Sequence, residues 1–209
     1  MKMYPKLPDL LKDFPTFEDL PFNSERSGDR DLFRGIAKGK HAENMLLFGK
    51  NGSGKSSLAS LLAHWHSQST GFQFPALVID AKRIDLKSLT LTDPTCRFQY
   101  GTASWCIINE LDKIDTKIQH SLLNIIDQAI GVNFIITAND LTKIDRGIDS
   151  RCGPIEIIAP SPKDFAPYAE RRLAAAGKPM ALSDIEKEMN EVRGDLRTMT
   201  RRLERLINL

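Results

Sequence analysis

The chain has 209 residues, of which 41% are hydrophobic, 27% charged and 7% aromatic. That is enough apolar mass for the core of one domain, or one domain with an appendage, and too much for wholesale disorder. Its 29 basic and 27 acidic residues leave a formal charge of +2, which does not mark a dedicated polyanion binder and does not exclude a local basic face. Cys96, Cys106 and Cys152 are too few and scattered for a disulfide framework or a zinc cluster. No apolar run reaches the roughly 20 residues that span a bilayer, and the N-terminus carries no secretory pattern. The expectation is a reduced, cytoplasmic protein with no membrane segment.

In chain order, residues 1–40 hold Pro5, Pro8, Pro15 and Pro21 and a polar stretch around Asn23–Arg30. They read as an irregular N-terminal arm with a short helix near 31–38. From Asn44, short apolar runs alternate with helical patterns. The runs are Met45–Phe48, Ala76–Asp80, Trp105–Ile108, Phe134–Ala138 and Ile155–Ile158. Between the first two, Leu58, Leu61, Leu62 and Trp65 recur on one helical face. Residues 115–130 predict a second helix, with Ile118, Leu122, Ile125, Ile126 and Ala129 inward and Gly131 as its stop. Five apolar strands interleaved with helices imply an α/β fold with a five-stranded parallel sheet between helices. After Pro160-Ser161-Pro162 the pattern becomes purely helical. One helix is expected over 164–176, a second from a capping box at Ser183–Glu186 and a third from Asp195. This divides the chain into an arm (1–40), a core (41–160) and a small helical lid (161–209).

Gly49-Lys50-Asn51-Gly52-Ser53-Gly54-Lys55-Ser56 fits G-x-x-x-x-G-K-[ST] at every fixed position, with a strand before it and an amphipathic helix after. The glycines let successive N–H groups turn inward toward phosphate oxygens, and the helix N-terminus adds positive potential. Gly49, Asn51, Gly52, Ser53, Gly54, Lys55, Ser56 and Ser57 are therefore the expected nucleotide-binding residues. Lys55 would reach the β- and γ-phosphates and Ser56 would ligate Mg²⁺, making ATP and Mg²⁺ the expected ligands.

Cys106-Ile107-Ile108-Asn109-Glu110-Leu111-Asp112 resembles the Walker B segment of AAA+ ATPases, and Ile135-Ile136-Thr137-Ala138-Asn139 resembles their sensor 1 strand. Ser150-Arg151-Cys152 and Gly194-Asp195-Leu196-Arg197 are similar to the Ser-Arg-Cys and sensor 2 motifs of clamp-loader subunits. Their order and spacing resemble replication factor C small subunits and bacterial clamp-loader subunits over residues 40–209. Asn51–Ser56 also looks like ABC-class ATPases, but no Leu-Ser-Gly-Gly-type signature is present.

The resemblance implies a P-loop AAA+ core. Within it Glu110 polarises water, Asn139 orients that water, and Arg197 folds the lid over the nucleotide. Arg151 serves as an arginine finger in the adjacent subunit, so partners would include further copies of this chain or related AAA+ subunits. It also implies DNA or a DNA-replication protein as partner. Arg197, Arg201 and Arg205 share a helical face, with Arg171, Arg172, Arg193 and Arg202 near in sequence; they read either as a phosphate-binding face or as a solvated face paired with glutamates.

Three departures qualify the resemblance. Asn109 stands where the family has the Asp that holds Mg²⁺ through water, so metal affinity should fall and hydrolysis should be slow or partner-stimulated. Lys50-Asn51 replaces Pro-Pro. The chain reaches Leu209 without the helical collar of clamp-loader subunits. The expected function is an oligomeric ATP-driven switch or motor in DNA replication, recombination, repair or transposition. The alternatives are a non-hydrolysing structural AAA+ subunit, and a helicase loader or small viral-type helicase.

Overall fold

A computed structural model describes residues 7–71, 76–84, 104–129, 131–192 and 195–208. Its strands are β1 (Met45–Phe48), β2 (Leu77–Asp80), β3 (Ser104–Asn109), β4 (Val132–Ala138) and β5 (Gly153–Glu156). They form one parallel sheet in the order β2-β3-β4-β1-β5. β1 lies between β4 and β5, with Leu46 opposite Ile136 and Pro154. β4 therefore separates the strand that enters the phosphate loop from the strand that carries Asn109.

Alternation along the strands divides the core. Met45, Leu47, Trp105, Ile107 and Ile135 face α2 (Ser27–Ala37) and α3 (Lys55–Ser69). Leu46, Cys106, Ile108, Phe134 and Ile136 face α4 (Thr116–Gln128) and α5 (Arg146–Arg151). Both faces of the central strands are covered, which is why they read as continuous apolar runs. β2 is an edge strand whose Leu77 and Val78 are 46% and 49% exposed.

Several local expectations change. The arm contains α1 (Leu7–Asp13) and packs into the core through Leu10, Phe14 and Phe17. Its prolines are compatible with this because tertiary burial, not local propensity, supplies most of a short helix's stability. α2 begins at Ser27, earlier than expected. On α4 the inward face carries Gln119 beside Leu122, Leu123 and Ile126, while Ile118 is exposed. Gln119 is fully buried because its amide is saturated: Nε2 donates to the carbonyls of Leu111, Ile114 and Lys143, and Oε1 accepts from Asp145 N.

The C-terminal helices are α6 (Pro162–Ala175), α7 (Leu182–Glu191) and α8 (Leu196–Asn208). α6 starts from a capping box between Ser161 and Asp164, with Pro162 at its first turn. The box expected at Ser183–Glu186 does not form, because the N-cap of α7 is Ala181, two residues earlier. Asp195 does cap α8, accepting from Thr198 N at 2.9 Å. Phe165, Tyr168, Leu173, Ile185, Met189, Met199 and Leu203 bury in the same cluster as the arm, and Phe14 stacks on Tyr168 with centroids 5.0 Å apart. No helix among the described residues is long and apolar enough to cross a membrane.

Candidate functional site

The site lies at the C-terminal ends of β1, β3 and β4, where an open parallel sheet presents its crevice. β1 ends at Phe48, and the chain turns through Gly49, Gly52 and Gly54, all at positive φ, before α3 begins at Lys55. Side chains are excluded at two of these positions by contact as well as by dihedral. A Cβ on Gly49 would lie 2.5 Å from Ile157 O, and one on Gly52 would lie 2.0 Å from Asp195 Oδ2. Lys55 Nζ donates to Gly49 O and Lys50 O, both at 2.8 Å, and to Ser53 Oγ at 3.4 Å. Burial pushes the Lys55 pKa down to about 8, against the pull of the Asp112 and Glu110 carboxylates.

The loop opens on a cavity of ≈ 590 Å³. Asn51, Gly52, Ser53, Gly54, Lys55, Ser56 and Ser57 line it, joined by Glu110, Asn139 and Arg197. Four parts of the sequence, the loop, the ends of β3 and β4 and the C-terminal helix that carries Arg197, thus meet at one cavity. Gly49 acts from behind, as the hinge between β1 and the loop.

Glu110 follows β3 in the left-handed region (φ 60°), where it is the only non-glycine at positive φ among the described residues. That conformation costs about 1–2 kcal/mol and aims the residue out of the strand into the cavity. It is held by Glu110 N donating to Thr137 Oγ1 at 3.1 Å. The same Thr137 hydroxyl donates to Asn109 Oδ1 at 3.1 Å, so one buried side chain on β4 ties Asn109 and Glu110 together. Asn139 is fixed by Asp112, which accepts from its backbone N–H at 3.1 Å and from Nδ2 at 3.4 Å.

Asn109 is buried and does not reach the cavity surface. Its oxygen is already engaged by Thr137, and it carries no charge. The loop, the helix N-terminus and Lys55 fit a nucleoside phosphate. The fit to Mg²⁺ rests on the Ser56 hydroxyl and the nucleotide's own oxygens, because the usual carboxylate is absent.

Arg151 stands apart. It is exposed, does not line the cavity, and makes a bidentate pair with Asp127 on α4 (Nε–Oδ1 2.5 Å, Nη2–Oδ2 2.8 Å). The guanidinium holds the Asp127 carboxyl below its ordinary range.

The basic face divides as well. Arg172 pairs with Asp13 and Glu204, Arg202 with Glu188, and Arg171 with Asp19. Arg201 lines the cavity beside Arg197. Arg193, Gly194 and Cys96 lie outside the described residues. The buried Cys106 and Cys152 thiols are both pushed up to about 12 by burial, which leaves them unreactive.

Sequence reasoning missed Thr137 and Gln119 as positioning groups, and Asp112 as the partner of Asn139. It also missed the arm, whose Leu10, Phe14, Pro21, Phe22 and Asn23 form the wall opposite the loop. The signal available was the arm's phenylalanines, which suit a buried wall better than a free tail.

The RuvB Holliday-junction branch-migration motor of Thermotoga maritima is similar in structure, with a TM-score of 0.67 at 15% identity, covering 88% of this chain and 61% of that one. Two variants of that protein match comparably. An arginine-to-alanine variant gives TM-score 0.69 at 14% identity, covering 90% of this chain and 63% of that one. A threonine-to-valine variant gives 0.66 at 14% identity, covering 86% and 61%. This chain thus spans about three fifths of the RuvB chains it matches, and at that identity the likeness is one of fold. No curated protein sequence matches. Residues 45–159, more than half of the chain, match the ATPase family associated with various cellular activities (AAA). With the phosphate loop at the head of a five-stranded parallel sheet, the chain belongs to the AAA family of ATPases.

Proposed function

We propose that the protein is an ATP-binding subunit of an oligomeric switch or motor acting in DNA replication, recombination, repair or transposition. The observation that carries this reading is the placement of Arg151. The other expected hydrolysis residues converge on one cavity, whereas Arg151 lies outside it on the surface at the end of α5, paired with Asp127. A finger facing outward serves a neighbour's nucleotide, so hydrolysis and assembly become one event. The clamp-loader-like order of motifs and the RuvB likeness both favour DNA as the polymer on which the assembly acts.

In this reading the loop N–H groups and Lys55 bind the phosphate chain, and Arg197 brings the lid onto it. Glu110 accepts a proton from the attacking water, while Asn139, steadied by Asp112, orients that water. Arg151 of the neighbouring subunit neutralises charge developing on the γ-phosphate, an effect worth roughly 10³–10⁵ in rate in other nucleotide hydrolases. Mg²⁺, held by Ser56 and phosphate oxygens, would supply charge neutralisation at the β- and γ-phosphates. Asn109 adds nothing to that charge, so turnover is slow or depends on a partner.

Complementation tests the trans arrangement. Arg151→Ala leaves a site intact but without its finger, and Lys55→Ala leaves a finger without a site. Each variant alone should release phosphate at background, and a mixture should regain activity. A mixture that stays at background, while each variant still forms ATP-dependent assemblies by sedimentation, refutes trans action. A second reading, a non-hydrolysing structural subunit, is favoured by the neutral, already-engaged Asn109; it predicts ATP-dependent assembly with no phosphate release under any DNA condition.

A further inference from the structure

Resting on the nucleotide site described above, we infer that Arg201 is a second lid arginine that binds the nucleotide's phosphates beside Arg197.

The seating of α8 sets this. Its N-terminus is docked on the loop: Asp195 sits over Gly52, and Leu196 Cδ2 lies 3.0 Å from the position of a Cβ on Gly54. Met199 and Leu203 are buried in the lid core. With one side of the helix committed to the core and its start committed to the loop, Arg197, Thr200 and Arg201 are turned into the cavity, the i, i+3, i+4 set of one face.

The ion-pair pattern separates these arginines from the rest. Arg172 and Arg202 on the lid have carboxylate partners. Arg197 and Arg201 have no ion pair among the described residues. Three acidic groups on the cavity wall have other partners: Asp13 pairs with Arg172, Glu156 with Arg26, and Asp9 with Lys12. Two like charges four residues apart on a helix repel, and the repulsion here is turned into a shared cavity together with Lys55. An anion there relieves it. Four residues advance about 6 Å along a helix axis, a separation long arginine side chains span, so both guanidiniums can reach one phosphate chain. Arg197 is nearer the loop end, where Lys55 sits. Arg201 lies further along α8, away from that end. ADP keeps two of the three phosphates and so probes this contact without hydrolysis.

Arg205 supplies the control. It continues the same series one turn on, does not line the cavity, and has no ion pair among the described residues. Calorimetric titration with ADP should show Arg201→Ala weakening binding about tenfold or more, the loss of one charge-assisted contact. Arg205→Ala should stay within about twofold of the parent, and Lys55→Ala should abolish binding. Equal ADP affinity for Arg201→Ala and the parent, with Lys55→Ala inactive, overturns the role of Arg201 and leaves the site standing. Undiminished binding by Lys55→Ala overturns the site itself, and the inference with it. Duplex-DNA binding that falls in Arg201→Ala while ADP binding does not also overturns it, and assigns the residue to nucleic acid.

Discussion

Lys55 makes nucleotide binding a proton-linked event. Its ammonium is satisfied by two backbone carbonyls and the Ser53 hydroxyl, yet burial holds its pKa at about 8, well below the ordinary lysine value. A phosphate placed beside Nζ favours the charged form and returns the pKa toward or above that value. At pH 8 the free site therefore carries about half a proton and the bound site about one, so binding takes up about half a proton; at pH 7 the uptake falls to about 0.1. Above pH 8 the affinity should drop, approaching tenfold per pH unit until the bound-state pKa is reached. Folding stability moves the other way. Because the folded pKa is depressed, the unfolded chain holds more protons between about pH 8 and 10.5, so the cost of the charged, buried Lys55 is full below pH 8 and is relieved as pH rises through that window. ADP titrations in two buffers of different ionisation enthalpy, at pH 7 and pH 8, measure the uptake directly. Lys55→Arg keeps its charge throughout and should remove the component that grows between the two pH values. Uptake at pH 8 no larger than at pH 7, or unchanged in Lys55→Arg, refutes the reasoning.

Three further outcomes are expected. Asn109→Asp restores a carboxylate behind Thr137 and should lower the Mg²⁺ concentration needed for phosphate release by about 10–100-fold; equal turnover and equal Mg²⁺ dependence in both proteins would show that position 109 does not limit the reaction. Gly52→Ala combines strain at φ +83° with a collision on Asp195; it should cost about 1–2 kcal/mol at the loop, read as weaker ADP binding that Asp195→Ala partly restores. Gln119→Ala strips the hydrogen-bond partner from the carbonyls of Ile114 and Lys143 and from the Asp145 N–H in the core and should cost about 2–4 kcal/mol. The corresponding fall in melting temperature is about 5–15 °C, and a shift under 2 °C in a thermal melt would show that these groups find other partners.

Much of the fold is legible in local sequence. Strand, glycine loop and helix over residues 45–69 are written in consecutive residues, because each glycine is demanded by its own dihedral or by backbone packed against it. The alternation of apolar runs and helical spacing likewise announces a parallel sheet covered on both faces. The misreadings share one cause. The arm's prolines argue for an irregular segment, while its conformation is decided by burial of Phe14 and Phe17 against α3 and the lid. Hydrophobicity alone puts Ile118 inward, while hydrogen bonds to backbone groups of neighbouring segments draw Gln119 into the core and leave Ile118 exposed. In the site, Glu110 and Asn139 were found by motif. Asp112 and Thr137, which hold them, were not, because an Asp or Thr at those positions has no signature until its partner is known.

The sequence by itself determined the phosphate cradle and the neutral amide at position 109, since both depend only on which residues follow one another. The tertiary structure alone decided that β4 stands between β1 and β3, bringing Thr137 and Asn139 to the loop. It alone separated the arginines: periodicity puts Arg197, Arg201 and Arg205 on one helical face, but what that face meets depends on how α8 docks. Asp195 and Leu196 on the loop, with Met199 and Leu203 in the lid core, turn two of the three toward the nucleotide cavity. Arg172 is taken up by Asp13, 159 residues away in sequence. Charge pairing over such separations is a property of the folded surface, and no spacing rule in the chain encodes it.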